Sequence, residues 1–438
     1  MRYLFISAFM LIQTASWAIV NAKTYGAKGD GIQDDSPYIN AAIAKAISLG
    51  QDLFIPTGNY KCIQFSTGSK ILRLDQSGIK KILIYGEAGT KITTPQSSGS
   101  ILYIAYASTN IVIANIFFEN THAPTMNQTN AIQLCGTGLN SIQNLTIQNC
   151  RFEGFSTAIG AQGVKGLTIQ NCTFGSPNGH DNAQINTQPA VFIWLNDNVN
   201  GQCYNVKILN NVANGFTGSD ITKLLTKRPM DGFVFGIAYG ILIKGNITNY
   251  LSEEHIGLQT HVTYPESKDS VLITGNQFYQ SLPSGSMKNS ALLTSNYGIR
   301  TDCNNVTITN NDFRDYTSGI LVFPFQFTAI SLHSFNISGN RFYSPNDKIY
   351  YVKEAIKFQA DPEFPVSDIV ISSNNFTIGN IQLKSDRSVI SVYDCINVTI
   401  EKNNILGQVI DPNGYSLAGI LTQNSESVLN INNQINFK

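Results

Sequence analysis

Nine copies of a nine-residue pattern run from residue 144 to residue 405, and no other feature limits the fold as tightly. They read "NLTIQNCRF" from Asn144, "GLTIQNCTF" from Gly166, "NVKILNNVA" from Asn205, "GILIKGNIT" from Gly240, "SVLITGNQF" from Ser270, "NVTITNNDF" from Asn305, "SFNISGNRF" from Ser334, "DIVISSNNF" from Asp368 and "NVTIEKNNI" from Asn397. The fourth position is always isoleucine: Ile147, Ile169, Ile208, Ile243, Ile273, Ile308, Ile337, Ile371 and Ile400. Start-to-start spacings of 22 to 39 residues are too irregular for a helical repeat, while apolar residues alternate with period two inside each copy. Each copy is therefore a strand, stacked on its own copies.

Three residues after the isoleucine stand Cys150 and Cys172, then Asn211, Asn246, Asn276, Asn311, Asn340, Asn374 and Asn403. Phenylalanine follows two residues later at 152, 174, 278, 313, 342 and 376. Such columns suit a parallel β-helix, in which like residues of successive coils lie about 4.8 Å apart. An asparagine column can pass amide hydrogen bonds from coil to coil, satisfying buried groups that would otherwise cost roughly 1–3 kcal/mol each. The two cysteines in that column read as buried thiols. The expected class is all-β: a single-stranded right-handed parallel β-helix, the hand following the crossover preference. Near the C-terminus "SVLNINNQINF" reads as a last rung with Ile431 in the isoleucine position.

The front end differs. Asp35 or Ser36 can cap a helix over 36–48, with Pro37 in its first turn, Ile39, Ile43 and Ile47 on one stripe and Gly50 at its end. It would cover the open first coil, with the coils running from about residue 80 to 438. Asp30, Asp34 and Asp35 fit turn and cap duties better than a metal site. Before this, "MRYLFISAFMLIQTASWA" combines Arg2, an apolar run and small residues, and reads as a secretory signal over 1–18 with the β-helix domain over 19–438. The expected location is extracytoplasmic, secreted or periplasmic. Zero net charge and 13% charged residues offer no basic surface for nucleic acid, and no later apolar run is long enough for a membrane span. Seven cysteines are too few and odd in number for a disulfide scaffold.

The segment "TYGAKGDGIQDDSPYINAAI…DLFIPTGNY" closely resembles the N-terminal segment of the pectate-lyase-like (pectin lyase-fold) β-helix superfamily, of rhamnogalacturonase/epimerase type. That superfamily also includes polygalacturonases and phage tailspikes. The resemblance covers about 40 residues and is extended by the coil pattern. It implies a β-helix acting on or binding polysaccharide, and, as in tailspikes, a homotrimer as one assembly.

A second strand per coil aligns on Ile159, Val191, Ile221, Ile256, Ile299, Ile320, Ile356 and Ile390, which places neighbouring side chains outward. The outward set includes Phe192 and Trp194, Asp220, His255 and Gln259, Arg300 and Asp302, Phe323, Lys357 and Gln359, and Tyr393. Aromatics, amides and charges mixed in this way suit a carbohydrate groove. Trp194, Phe323 and Tyr393 would meet sugar faces, Gln259 and Gln359 hydroxyls, and Arg300 with Lys357 a uronate carboxylate. Asp220 and Asp302, with His255 between them, are the candidate catalytic groups, since glycoside hydrolysis needs an acid and a base about 6.5–9.5 Å apart for inversion. The order Asp, His, Arg on successive coils is similar to polygalacturonases, but their Asn-Thr-Asp, paired-Asp and Gly-His-Gly motifs are missing, and Arg300-Thr-Asp302 stands in place of arginine-x-lysine. The expectation is a secreted enzyme on a uronate-containing polysaccharide, glycosidase rather than lyase, without cofactor. A lyase or epimerase using Arg300, Lys357 or His255, with calcium as its metal, is one alternative. A non-catalytic glycan-binding protein is the other.

Overall fold

The computed structural model describes residues 19–63, 69–76, 78–122, 128–137, 140–175, 190–195, 203–215, 230–236, 238–249, 251, 254–258, 270–279, 297–315, 318–324, 331–344, 354–381, 387–409 and 417–437. The expected signal at 1–18, Asp220, Ile221 and Gln259 lie outside the described residues.

Each coil runs through three strands, one in each of three sheets, here A, B and C. Every strand pairs in parallel with its counterpart one coil away, giving sheets of 14, 14 and 12 strands among the described residues. The nine isoleucines are the rungs of sheet A, each in register with the next from Ile147 to Ile400. The column continues backwards through Ile113, Ile84 and Leu53 to Val20, four rungs outside the sequence pattern. At the other end Ile400 pairs with Asn430 and Glu401 with Ile431, so the expected rung at Ile431 is one residue out. The last coil takes its register from Asn433, whose Oδ1 accepts from the Asn403 main-chain and side-chain N–H groups, at 2.8 and 2.9 Å.

The asparagine column is a continuous hydrogen-bonded ladder at the corner between sheets A and B. It starts where the Cys172 N–H donates to Asn211 Oδ1 and passes Asn246, Asn276, Asn311, Asn340 and Asn374 to Asn403. The residue before each ladder position is left-handed, as at Asn210, Gly245, Gly275, Asn310 and Gly339. Asparagine and glycine tolerate that conformation best, which explains their recurrence in the motif.

The phenylalanines stack inside, with centroids 5.5 Å apart for Phe118–Phe152, 5.1 Å for Phe152–Phe174 and 4.6 Å for Phe313–Phe342. Ala213 and Thr248 interrupt the stack between Phe174 and Phe278. Sheet C fills the space they leave. Phe192 and Phe233 pack against Phe174, at 5.4 and 5.7 Å, and His255 sets its edge on Phe278 at 5.7 Å. Phe192 and His255, expected on the outer face, are thus core residues. The space left by two small sheet B residues draws them inward. Cys150 and Cys172 are buried thiols, the Cys150 pKa pushed up by burial.

Helix α1 spans Ser36–Leu49 with Pro37 in its first turn and left-handed Gly50 as its C-cap. Ile39 and Ile43 are buried against the first coil. Asp35 makes no cap bond. Its carboxylate instead accepts from the Lys28 and Gly29 N–H groups, while Asp34 holds Ser36 and Asp30 accepts from Ile32 and Gln33. No helix among the described residues is long and apolar enough to cross a membrane.

Candidate functional site

The register of sheet C decides which side chains share its outer face. Ile159 pairs with Ile193, Ile193 with Val234 and Val234 with Ile256, so the expected rungs at Val191 and Ile221 are replaced by Ile193 and Val234. From there the expected column holds through Ile299, Ile320, Ile356 and Ile390. The outward neighbours form one line: Gln133, Gly160, Trp194, then past the coil of Val234 to Gly257, Arg300, Leu321, Lys357 and Ser391. Trp194, Arg300 and Lys357 therefore do share one face. Arg300 is three coils from Trp194 and two from Lys357, about 14 and 10 Å along the axis.

Further along these strands lie Asp302, Phe323, Gln359 and Tyr393. Gln359 is exposed and in register with Tyr393, whose ring lies 5.6 Å from the Lys357 ammonium. Asp302 is only 3% exposed, and its N–H donates to Leu258 O across one coil. Lys357 makes no ion pair among the described residues.

His255 cannot meet a substrate from its place in the core. It is fully buried, its Nδ1 lies 2.5 Å from Thr248 Oγ1, and burial lowers its pKa to about 3, so the ring is neutral. The expected triad of Asp220, His255 and Asp302 is not assembled by the described residues.

The corner where sheet C begins holds a different set. Glu254, Tyr297 and Glu354 each stand two residues before a sheet C rung, on coils bearing Ile256, Ile299 and Ile356. Glu254 and Glu354 are both 8% exposed. Arg300 Nη1 donates to Glu254 Oε1 at 2.7 Å, tying the outer face to the corner. Burial raises the Tyr297 pKa, the Glu354 charge adds to the rise and Arg300 opposes it, so these four groups form one electrostatic cluster. Gly232 on the preceding coil makes the approach possible, since a Cβ there would stand 1.9 Å from Glu254 O. The intervals from 254 to 297 and from 297 to 354 share no period, and sequence spacing gave no signal for the cluster. The one local sign of a member is "SEEH" over 252–255, two adjacent carboxylates of which Glu254 joins the cluster.

Two carboxylates, an arginine and a phenol at the rim of an aromatic-bearing strand face are a set able to bind hydroxyls and move protons. Residues 19–222 match the family model described as Rhamnogalacturonase A/epimerase, pectate lyase-like. The tailspike protein of E. coli bacteriophage HK620, solved in complex with a pentasaccharide, overlaps 93% of this chain and 80% of its own at a TM-score of 0.63 and 12% identity. The A-module of mannuronan C-5 epimerase AlgE6 from Azotobacter vinelandii overlaps 94% of this chain and 99% of its own at a TM-score of 0.51 and 16% identity. A stretch of 57 residues is 37% identical to the non-secreted LysM effector LysM19 of Penicillium expansum, covering 12% of this chain and only 4% of that protein's length. The chain is a parallel β-helix protein, and its residues 19–222 carry the match to the rhamnogalacturonase A/epimerase, pectate lyase-like family model.

Proposed function

We propose that the chain is an exported glycoside hydrolase acting on a uronate-containing polysaccharide, with Glu254 and Glu354 as its acid and base. The observation that carries this reading is the pair of nearly buried carboxylates gathered with Arg300 and Tyr297 at one corner of the outer face. Three coils set their backbones about 14 Å apart. That spacing is far wider than the direct-nucleophile geometry of about 5 Å, and inversion at about 6.5–9.5 Å requires the two side chains to reach toward each other along the axis. The Arg300 contact assigns Glu254 to the activation of water, and Glu354 is then the carboxyl assigned to the leaving oxygen. Lys357, held over Tyr393 and without an ion-pair partner among the described residues, is the cation open to a uronate carboxylate. The structural neighbours support the substrate class, one being bound to a pentasaccharide and the other being a mannuronan epimerase.

Proton abstraction beside a uronate carboxyl is the second reading, favoured by the overlap with the epimerase module. It needs a base, and two candidates are poor. His255 lies in the core, and the raised Tyr297 pKa keeps that phenol protonated. Incubation with polygalacturonate, alginate and a neutral galactan, following reducing ends and absorbance at 235 nm, separates the readings. New reducing ends without absorbance support hydrolysis, both together support elimination, and neither supports a glycan-binding protein. Glu354→Gln is expected to lower turnover by about 10²-fold or more with the fold kept. A normal rate in that variant, with loss in Asp302→Asn, moves the site to the far end of the strands. Export and trimer formation belong to the same proposal. The mass of the secreted chain and light scattering of the purified protein test them.

A further inference from the structure

Gly160 has no structural reason to be glycine. Its φ is not left-handed, and a Cβ there would meet only Asn130 Nδ2 at 3.7 Å and two other atoms at 3.9 Å, ordinary contacts. Gly136 is the contrast, a glycine under compulsion, where a Cβ would stand 2.1 Å from Gly163 O. The missing side chain at 160 leaves an open place in the outward line of sheet C, between Gln133 on one coil and half-buried Trp194 on the next.

The neighbours of that place are fixed in useful orientations. Ser100 Oγ donates to Gln133 Oε1 at 3.1 Å, which holds the amide in place. Its NH2 group makes no hydrogen bond among the described residues and is the donor the pair offers. Asn130 supplies a second amide beside Gly160. An indole, two amides and a gap are the components of a sugar-ring site, the apolar face of a pyranose against the indole and its hydroxyls on the amides. In register with Gly160 stand only Gln133 and Trp194, neither of them charged, so this place reads hydroxyls rather than a carboxylate.

We propose that Gln133, Gly160 and Trp194 form a distal sugar-ring subsite, its Gly160 gap three coils from the Glu254 corner and four from Arg300. The inference rests on the reading of this face as a glycan groove, and it adds that the glycan lies along the helix axis. A substrate must then reach over about 14 Å to use both places. Polymers and longer oligosaccharides gain from the subsite, and disaccharides do not.

Trp17 and Trp194 are the chain's two tryptophans, so Trp17→Phe in the full chain leaves Trp194 as the sole indole reporter. In that background, with Glu354→Gln added so that substrate persists, polygalacturonate, alginate and galactan are titrated while fluorescence is followed. A saturable shift in Trp194 emission with one of these glycans is expected, and Gly160→Leu should abolish it while circular dichroism stays unchanged. With Glu354 intact, Gly160→Leu should raise KM for the polymer roughly tenfold with little change in kcat, and leave disaccharide turnover alone. A shift without turnover in the parent keeps the subsite and removes the hydrolase reading. Turnover without a shift, or a shift that survives Gly160→Leu, overturns the subsite. Neither shift nor turnover removes both.

Discussion

Replacing Asn311 by alanine tests what holds the coils in register. The side chain makes four hydrogen bonds: Oδ1 accepts from the Asn276 main-chain N–H at 3.0 Å and from its Nδ2 at 2.9 Å, and Nδ2 donates to Ile273 O and Asn340 Oδ1, both at 3.0 Å. Not every partner is orphaned. Asn276 Nδ2 keeps Ile243 O and Thr274 O, and Asn340 Oδ1 keeps the Asn311 N–H. The buried Asn276 N–H loses its acceptor and Ile273 O loses a donor, so the expected cost is about 2–5 kcal/mol. Asn433→Ala, at the partly exposed end of the same ladder, should cost under about 1 kcal/mol because water can replace the lost partners. Urea unfolding followed by circular dichroism reads the difference. Where refolding fails, unfolding half-lives under fixed conditions serve instead. Contacts in a solenoid join only neighbouring coils, so a break at 311 should also split the transition into two steps. A cost below about 0.5 kcal/mol, or one equal to that of Asn433→Ala, would refute the ladder as a source of stability.

Neutral His255 makes stability depend on pH. With a folded pKa of about 3 and an unfolded one near 6.5, only the unfolded chain takes up the proton between those values. Stability is therefore fully present above about pH 6.5 and falls as pH drops towards 3, by an amount on the order of 4 kcal/mol. Comparing urea midpoints from pH 7 to pH 4 in wild type and His255→Gln should show a shallower slope in the variant, and identical slopes would contradict the assignment. Gly319→Ala should destabilise by roughly 1–3 kcal/mol or more, because the new Cβ would stand 2.4 Å from both Ala355 O and the Phe342 ring. Gly160→Ala, whose Cβ has room, should leave the melting temperature within experimental error.

The rungs were readable because sheet A repeats the same chemistry at the same place in every coil. A buried isoleucine, a left-handed asparagine or glycine and a ladder asparagine each answer a local demand. Reading slipped where the demand was weaker. In "VLNINN" the apolar residues do not choose a phase, and the choice falls to Asn433. Val191 and Ile193 have the same parity, so only pairing across the coil shows that Ile193 is the rung. Arg300 and Lys357 are legible as neighbours because they follow true rungs by one residue, and Trp194 because it stands three residues after Val191, which has the parity of the true rung Ile193. Glu354 and Tyr297 are not, since each enters sheet C from a connection of different length. The inward turn of His255 depends on Ala213 and Thr248, residues 42 and 7 positions earlier, and no periodicity links them.

The corners of the coil differ in how freely they can change. From Ala114 onward the chain crosses from sheet A to sheet B with two residues, coil after coil, as between Gln148 and Arg151, Thr309 and Asp312, and Glu401 and Asn404. From sheet B to sheet C it takes three residues between Glu153 and Thr157 but seventeen between Tyr279 and Tyr297. The first corner carries the ladder and admits no insertion without breaking it. The second delivers Glu254, Tyr297 and Glu354 to the rim of the outer face. Inheritance can therefore rewrite what this rod recognises by trading segments at one edge, while the opposite edge keeps the molecule standing. Descendants of one such rod could part company in chemistry long before they differ in architecture.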